Sequence, residues 1–94
     1  MPTIKVKIHQ SLRVKDHSYE FEGAFTGIRI IDAISSMLEN TPGLIINCLK
    51  DGNKRPGILY LVDKTELASL GLLESSVDDW EDIEIRIIPV LHGG

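Results

Sequence analysis

Few residues of this chain are of a type and spacing that do chemistry. The histidines His9, His17 and His92 are scattered, and none stands at metal-ligand spacing from another or from the single cysteine, Cys48. There is no glycine-rich phosphate loop and no nucleophile elbow. Cys48 lies in the apolar run LIINCL, where a thiol is expected to be buried and inert. Asp78 and Asp79 are adjacent only in sequence, with nothing to set them across a cleft. What remains is the run VLHGG. If the last strand finishes near Val90, then Leu91, His92, Gly93 and Gly94 reach about 13 Å beyond the fold, at roughly 3.3 Å per residue. Without Cβ atoms, Gly93 and Gly94 make a tip thin enough to thread a narrow channel and to approach a phosphate or catalytic group closely. The Gly94 carboxylate is then the best-presented chemical handle. Adenylation by ATP would make it an acyl-adenylate, open to attack by a sulfur or nitrogen nucleophile. Chain ends also carry glycines without chemistry, so the tail alone leaves both readings open.

The elements that must position this tail are legible from their periods. TIKVKIH alternates, with Ile4, Val6 and Ile8 on one side and Lys5, Lys7 and His9 on the other, a half-buried strand. YEFEGAF alternates again after a short polar segment, so the two read as an antiparallel hairpin. From 28 to 40 the period changes. Ile30, Ile31, Ile34, Met37 and Leu38 form an apolar stripe opposite Arg29, Asp32, Ser36 and Glu39, which predicts a helix with Thr26 as N-cap and NTPG as its stop. LIINCL reads as a strand or extended return, and KDGNKRPG as a polar turn. ILYLVD reads as a strand with few polar positions, suited to a central place covered on much of both faces. KTELASLG suits a single turn or short 3₁₀ piece ending at Gly71. IEIRIIPVL is the last strand, with Ile83, Ile85 and Ile87 inward and Glu84 and Arg86 outward. The first and last strands fit side by side in the middle of a mixed sheet with one helix across it. That is a β-grasp, an α+β architecture.

Composition bounds the partners. The chain has 94 residues, 43% apolar and 26% charged, which suits one globular domain spanning 1–94 with a flexible tail at 91–94. A net charge of −4 is a poor basis for gripping phosphates, so direct nucleic-acid binding is not expected. Glu74, Asp78, Asp79, Glu81, Asp82 and Glu84 follow one another with no Lys or Arg between them. They read first as a solvated turn and second as a docking surface for a basic partner. A lone cysteine fits a reducing compartment. With no leader and no bilayer-length apolar run, a soluble cytoplasmic protein is expected, with no membrane partner.

The run RPGILYLVD (55–63), then ELASLG (66–71), an acidic turn and a strand ending in LHGG (91–94) resembles the ubiquitin-related modifier family of sulfur carriers. The Arg55-Pro56-Gly57 turn and the terminal HGG are the most specific parts. The family commonly carries an Asp-Trp pair where this chain has Lys64 and Thr65. The resemblance implies a ubiquitin-like β-grasp fold, a mixed sheet of four to five strands with one main helix at about 28–40. It implies a carrier that is not an enzyme and holds no cofactor, with ATP used by a ubiquitin-activating-type enzyme that adenylates Gly94. A rhodanese-like sulfurtransferase then makes the thiocarboxylate, and a tRNA thiolase passes its sulfur to wobble uridines. Conjugation to protein lysines is the second implied outcome. Gly93 would supply flexibility, and His92 and Leu91 would fit the activating enzyme's entrance. By the period-2 count Ile88 and Val90 face outward, and with Leu59 and Leu61 they form an expected partner-binding patch, with Arg55 beside it. A monomer suits a carrier with several partners. The alternatives are a molybdopterin-synthase small subunit, a thiamine-type sulfur carrier, and a β-grasp interaction module whose tail has no chemistry.

Overall fold

The computed structural model describes residues 1–13 and 19–90. Alternating side chains make the first strand, β1 (Thr3–Ile8), which buries Ile4, Val6 and Ile8 and leaves Lys5 and Lys7 outside. It pairs antiparallel with β2 (Glu20–Ala24), the expected hairpin. A helix follows, α1 (Ile30–Leu38), then a second, α2 (Pro42–Cys48), a two-residue ribbon of β3 (Leu49–Lys50) and β4 (Asn53–Lys54), and three further strands. These are β5 (Ile58–Val62), β6 (Thr65–Glu66) and β7 (Ile83–Pro89), with short 3₁₀ turns at Leu72–Glu74 and Val77–Asp79. The main sheet runs β2-β1-β7-β5-β6, and β1 lies parallel to β7 in its centre, Ile4 opposite Ile83 through Ile8 opposite Ile87. Among the described residues no helix is long and apolar enough to cross a membrane.

Three sequence readings are corrected here. The main helix, expected at about 28–40, spans Ile30–Leu38, but Thr26 does not cap it. Its start is set from far along the chain. The Ile30 N–H donates to the Ser75 carbonyl at 2.9 Å, and the Val77 N–H donates to the Ile28 carbonyl at 2.8 Å, so residues 28–29 are held extended against 75–77. LIINCL is helical through Cys48, and only Leu49 is extended. Pro42 stands in the first turn of α2, where its fixed φ is already helical and its missing N–H costs nothing. Leu44 and Cys48, four apart, are buried while Ile46 is 63% exposed, a helical period that so short an apolar run conceals. Finally, β5 is second from the sheet edge rather than at its centre, and its two faces are covered unequally. Tyr60 is buried, whereas Leu59 and Leu61 on the other face are half-buried.

The core lies between one sheet face and the helices. Ile4, Val6, Ile8, Ile85 and Ile87 from the sheet meet Ile30, Ile34 and Leu38 of α1 and Leu44 of α2. Tyr60 is the one aromatic residue fully enclosed there. Burial pushes its phenol up to about 12, so it stays protonated at neutral pH. It donates to the Cys48 carbonyl at 2.6 Å and accepts from the Arg55 N–H at 2.8 Å. One side chain thus closes the end of α2 onto β5.

The acidic stretch serves the fold. Glu74 accepts from the Arg29 guanidinium, which also grips both Asp32 oxygens. Asp82 accepts the Thr3 N–H at 2.9 Å, and the Trp80 indole N–H donates to Ser75 Oγ at 3.0 Å. Asp78 takes the Thr26 hydroxyl at 2.7 Å and the N–H of Gly27 at 2.8 Å, clasping the entrance to α1. Those bonds hold its carboxyl below the ordinary aspartate value of 3.8.

Tyr60→Phe is expected to lower the unfolding free energy by about 1–3 kcal/mol in urea titration, because the buried Cys48 carbonyl and the part-buried Arg55 N–H lose their partner. Wild-type stability would mean that water replaces both bonds. For Asp78 the folded pKa is depressed, so its contribution is full above the unfolded value and fades as pH falls through the folded one. Asp78→Ala is therefore expected to lower the urea midpoint at neutral pH and to converge on wild type in acid. A gap that persists unchanged at about pH 2 would show that the carboxylate charge is not what holds the clasp.

Candidate functional site

The tail residues Leu91, His92, Gly93 and Gly94 lie outside the described residues, as does His17. The structure does describe the surface from which the tail departs. β7 is a central strand, bonded to β1 on one side and β5 on the other, and its ladder continues to Val90, whose N–H donates to the Gly57 carbonyl at 2.8 Å. The RPG turn therefore grips the last described residue. Gly57 has φ +85°, a left-handed backbone in which a side chain would be strained. That turn is thus tied directly to the base of the tail.

Next to this exit the antiparallel register sets Leu59 opposite Ile88 and Leu61 opposite Arg86. Leu59, Leu61, Ile88 and Val90 are all half-buried, and the first three occupy the sheet face turned away from the helices. Arg55 is set apart from them, since its guanidinium donates to the Ile46 carbonyl on α2 at 2.7 Å. The apolar patch is thus assembled from two neighbouring strands, and Arg55 serves the opposite layer.

The loop after β5 owes its shape to Glu66. Although partial desolvation works against its charge, the carboxylate accepts N–H bonds from Tyr60 at 2.9 Å, Ala68 at 3.1 Å and Ser69 at 2.8 Å, and its pKa falls below the ordinary value. The ELASLG segment is a turn wrapped on one carboxylate, and Gly71 ends it at φ +70°. Lys64 and Thr65 precede it without disturbing this arrangement, Thr65 pairing with Val62 across β5 and β6.

Cys48 is fully buried, and burial pushes its thiol up to about 11 against the opposing charge of Arg55. It remains a thiol at neutral pH and is a poor nucleophile. Among the described residues no group of three or more His, Cys, Asp or Glu side chains could hold a metal ion.

Sequence reading missed a cationic groove beside the patch. Lys7, His9, Arg13, Arg86 and Ile88 line it at the C-terminal ends of β1 and β7. The alternation of each strand puts Lys7 and Arg86 outward, but only the parallel register sets them opposite each other.

No family model matches the sequence, and no curated protein matches it. Solved structures do resemble it in shape. Small archaeal modifier protein 1 from Methanosarcina acetivorans, a solution structure, is 25% identical with a TM-score of 0.72, covering 100% of this chain and 98% of that one. The crystal structure of small archaeal modifier protein 1 from Haloferax volcanii is 20% identical with a TM-score of 0.71, over 98% of this chain and 99% of that one. The Haloferax volcanii HVO 2177 protein is 16% identical with a TM-score of 0.70, over 99% of this chain and 87% of that one. The chain has the ubiquitin-like β-grasp fold, and its structural neighbours are small archaeal modifier proteins.

Proposed function

We infer that this chain is a ubiquitin-like modifier and sulfur carrier rather than an enzyme, and that the Gly94 carboxylate is its reactive group. The observation that carries the reading is a sequence ending in LHGG directly after a central β-grasp strand, in a chain 25% identical over its full length to a small archaeal modifier protein. Activation joins the carboxylate to AMP on an adenylating enzyme of the ubiquitin-activating type, with release of pyrophosphate. The persulfide of a rhodanese-like sulfurtransferase then displaces AMP to give an acyl disulfide, and a second thiol on the enzymes cleaves its S–S bond, leaving the thiocarboxylate and an enzyme disulfide. A tRNA thiolase uses that sulfur at the wobble uridine, and a lysine amine attacking the activated carbonyl gives an isopeptide instead. Gly93 keeps the approach free of side chains, and Leu91 and His92 seat the tail in the activating enzyme. Leu59, Leu61, Ile88 and Val90 form the surface on which that enzyme recognises the folded domain. ATP belongs to the enzyme and not to this chain, which works as a monomer in the cytoplasm.

The test is mass spectrometry of the tryptic peptide Ile87–Gly94 after incubation with ATP, a sulfur donor and an activating enzyme from the same source. That peptide contains neither Met nor Cys, so oxidation elsewhere cannot imitate the signal. Exchange of one oxygen for sulfur, dependent on ATP and lost when Gly94 is deleted, is the expected result. An unmodified peptide, with the enzyme active on a known carrier, would leave a β-grasp interaction module as the better reading. Loss of thiolated tRNA without loss of molybdenum cofactor in a Gly94 deletion strain separates this carrier from a molybdopterin-synthase small subunit. Ile88→Lys is expected to lower the kcat/KM of adenylation about tenfold, roughly 1.4 kcal/mol of lost recognition, with an unchanged circular dichroism spectrum. Undiminished adenylation would remove the patch from the recognition surface.

A further inference from the structure

The cationic groove is not explained by the tail. In a chain of net charge −4 it gathers Lys7, His9, Arg13 and Arg86 around Ile88, and no carboxylate lines it among the described residues. Lys7 and Arg86 stand opposite each other across the parallel β1–β7 pair. Like charges so placed repel unless an anion lies between them. Lys7 is partly neutralised by Glu84 at 3.2 Å and Glu20 at 3.9 Å, whereas Arg86 and Arg13 have no carboxylate partner among the described residues.

Arg13 is also held in place. Its Nε donates to the Ile8 carbonyl at 3.0 Å, and its guanidinium carbon sits 3.5 Å from the centre of the Tyr19 ring. The contact accounts for a tyrosine that is 42% exposed. A guanidinium already fixed by its Nε and its face loses little further freedom when its outer nitrogens take a ligand. Two guanidinium groups suit carboxylates, which they bind through paired N–H bonds.

The floor decides between kinds of anion. Ile88 lines the groove and pairs with Leu59, while Arg86 pairs with Leu61, so cations and aliphatic side chains alternate over a few ångströms of one sheet face. A phosphodiester chain has no use for that aliphatic surface. A long polyanion leaving the groove would also meet Glu20, Glu22 and Glu84, which share the outer face of the sheet. A short protein segment carrying both a carboxylate and an aliphatic side chain uses everything the surface offers.

We propose that this groove docks a partner-protein segment in which acidic and aliphatic residues alternate, its carboxylates on Arg86 and Arg13 and its aliphatic groups on Ile88 and Leu59. Docking is a property of the folded domain and holds whether or not Gly94 is activated, so its test makes no use of the tail. The full chain, labelled with ¹⁵N, is titrated with an alternating glutamate–leucine hexapeptide, with its glutamine–leucine counterpart, and with a single-stranded oligouridine. The expected result is saturable movement of the Lys7, Arg13, Arg86 and Ile88 amides by the glutamate peptide, with binding at least tenfold tighter than for the glutamine version. Arg86→Glu is expected to weaken the glutamate peptide at least tenfold, and the milder Arg86→Gln by less, with the remaining amides unmoved in both variants. Three results would overturn the proposal. They are equal binding of the two peptides, which marks a merely apolar surface; tighter binding of oligouridine at the same amides, which marks a nucleic-acid surface; and no saturable shift at these residues.

Discussion

The parallel pairing of β1 with β7 is the constraint on which the rest of this fold depends. Parallel neighbours need a crossover of a dozen or more residues, and here nearly the whole chain is that crossover, from His9 to Asp82. The pairing brings Ile4, Val6 and Ile8 against Ile85 and Ile87 and so makes the apolar floor on which α1 and α2 are laid. It is closed at both ends, by the Thr3 N–H on Asp82 and by the His9 N–H on the Ile87 carbonyl. With both α-helices on one face, no helix among the described residues covers the opposite face. The segment leading to the last residues leaves from the middle of the sheet, where flanking strands on both sides hold its base.

The face opposite the helices is not uniform. Towards β2 it is charged, with Lys5 opposite Glu22 and Lys7 beside Glu20 and Glu84. Towards β5 it is aliphatic, through Leu59 and Leu61. β7 belongs to both regions and changes character along its length, from Glu84 through Arg86 to Ile88 as it nears the tail. Exposed ion pairs such as Lys7–Glu84 add little stability, so this arrangement is a poor source of folding energy, and on the proposed reading it serves recognition instead.

What could be read in the sequence follows from how local each determinant is. β1 and β7 were legible because a period of two is written in five or six adjacent residues, and two Ile/Val-rich inner faces belong together. The body of α1 was legible for the same reason at a period of 3.6. Its start was not, because the backbone of Ile28 and Ile30 is claimed by Ser75 and Val77, more than forty residues away. α2 was misread because LIINCL is too short to separate the two periods, and Pro42, read as a stop, is also a helix start. The acidic stretch looked like solvated charge because the partners of Glu74, Asp78 and Asp82 are Arg29, Thr26, Gly27 and Thr3, none of them local. The outward side of Leu59 and Ile88 could be counted along each strand. The cationic groove could not, since it exists only once a register places Lys7 opposite Arg86.

The division between a bland tail and an elaborate face also has an energetic logic on the proposed reading. A glycine carboxylate carries almost no identity of its own, and any enzyme that activated it from the tail alone would activate many chain ends. Binding energy drawn from parts of a substrate remote from the reacting bond can be used to orient and desolvate that bond. The folded domain is such a remote part. Its rigid sheet fixes where Leu59, Ile88 and Arg86 stand relative to the Gly57–Val90 anchor, a few residues from the carboxylate. Recognition and reactivity can then be optimised separately. The face can vary to choose partners, while the tip must stay small to fit the shared chemistry.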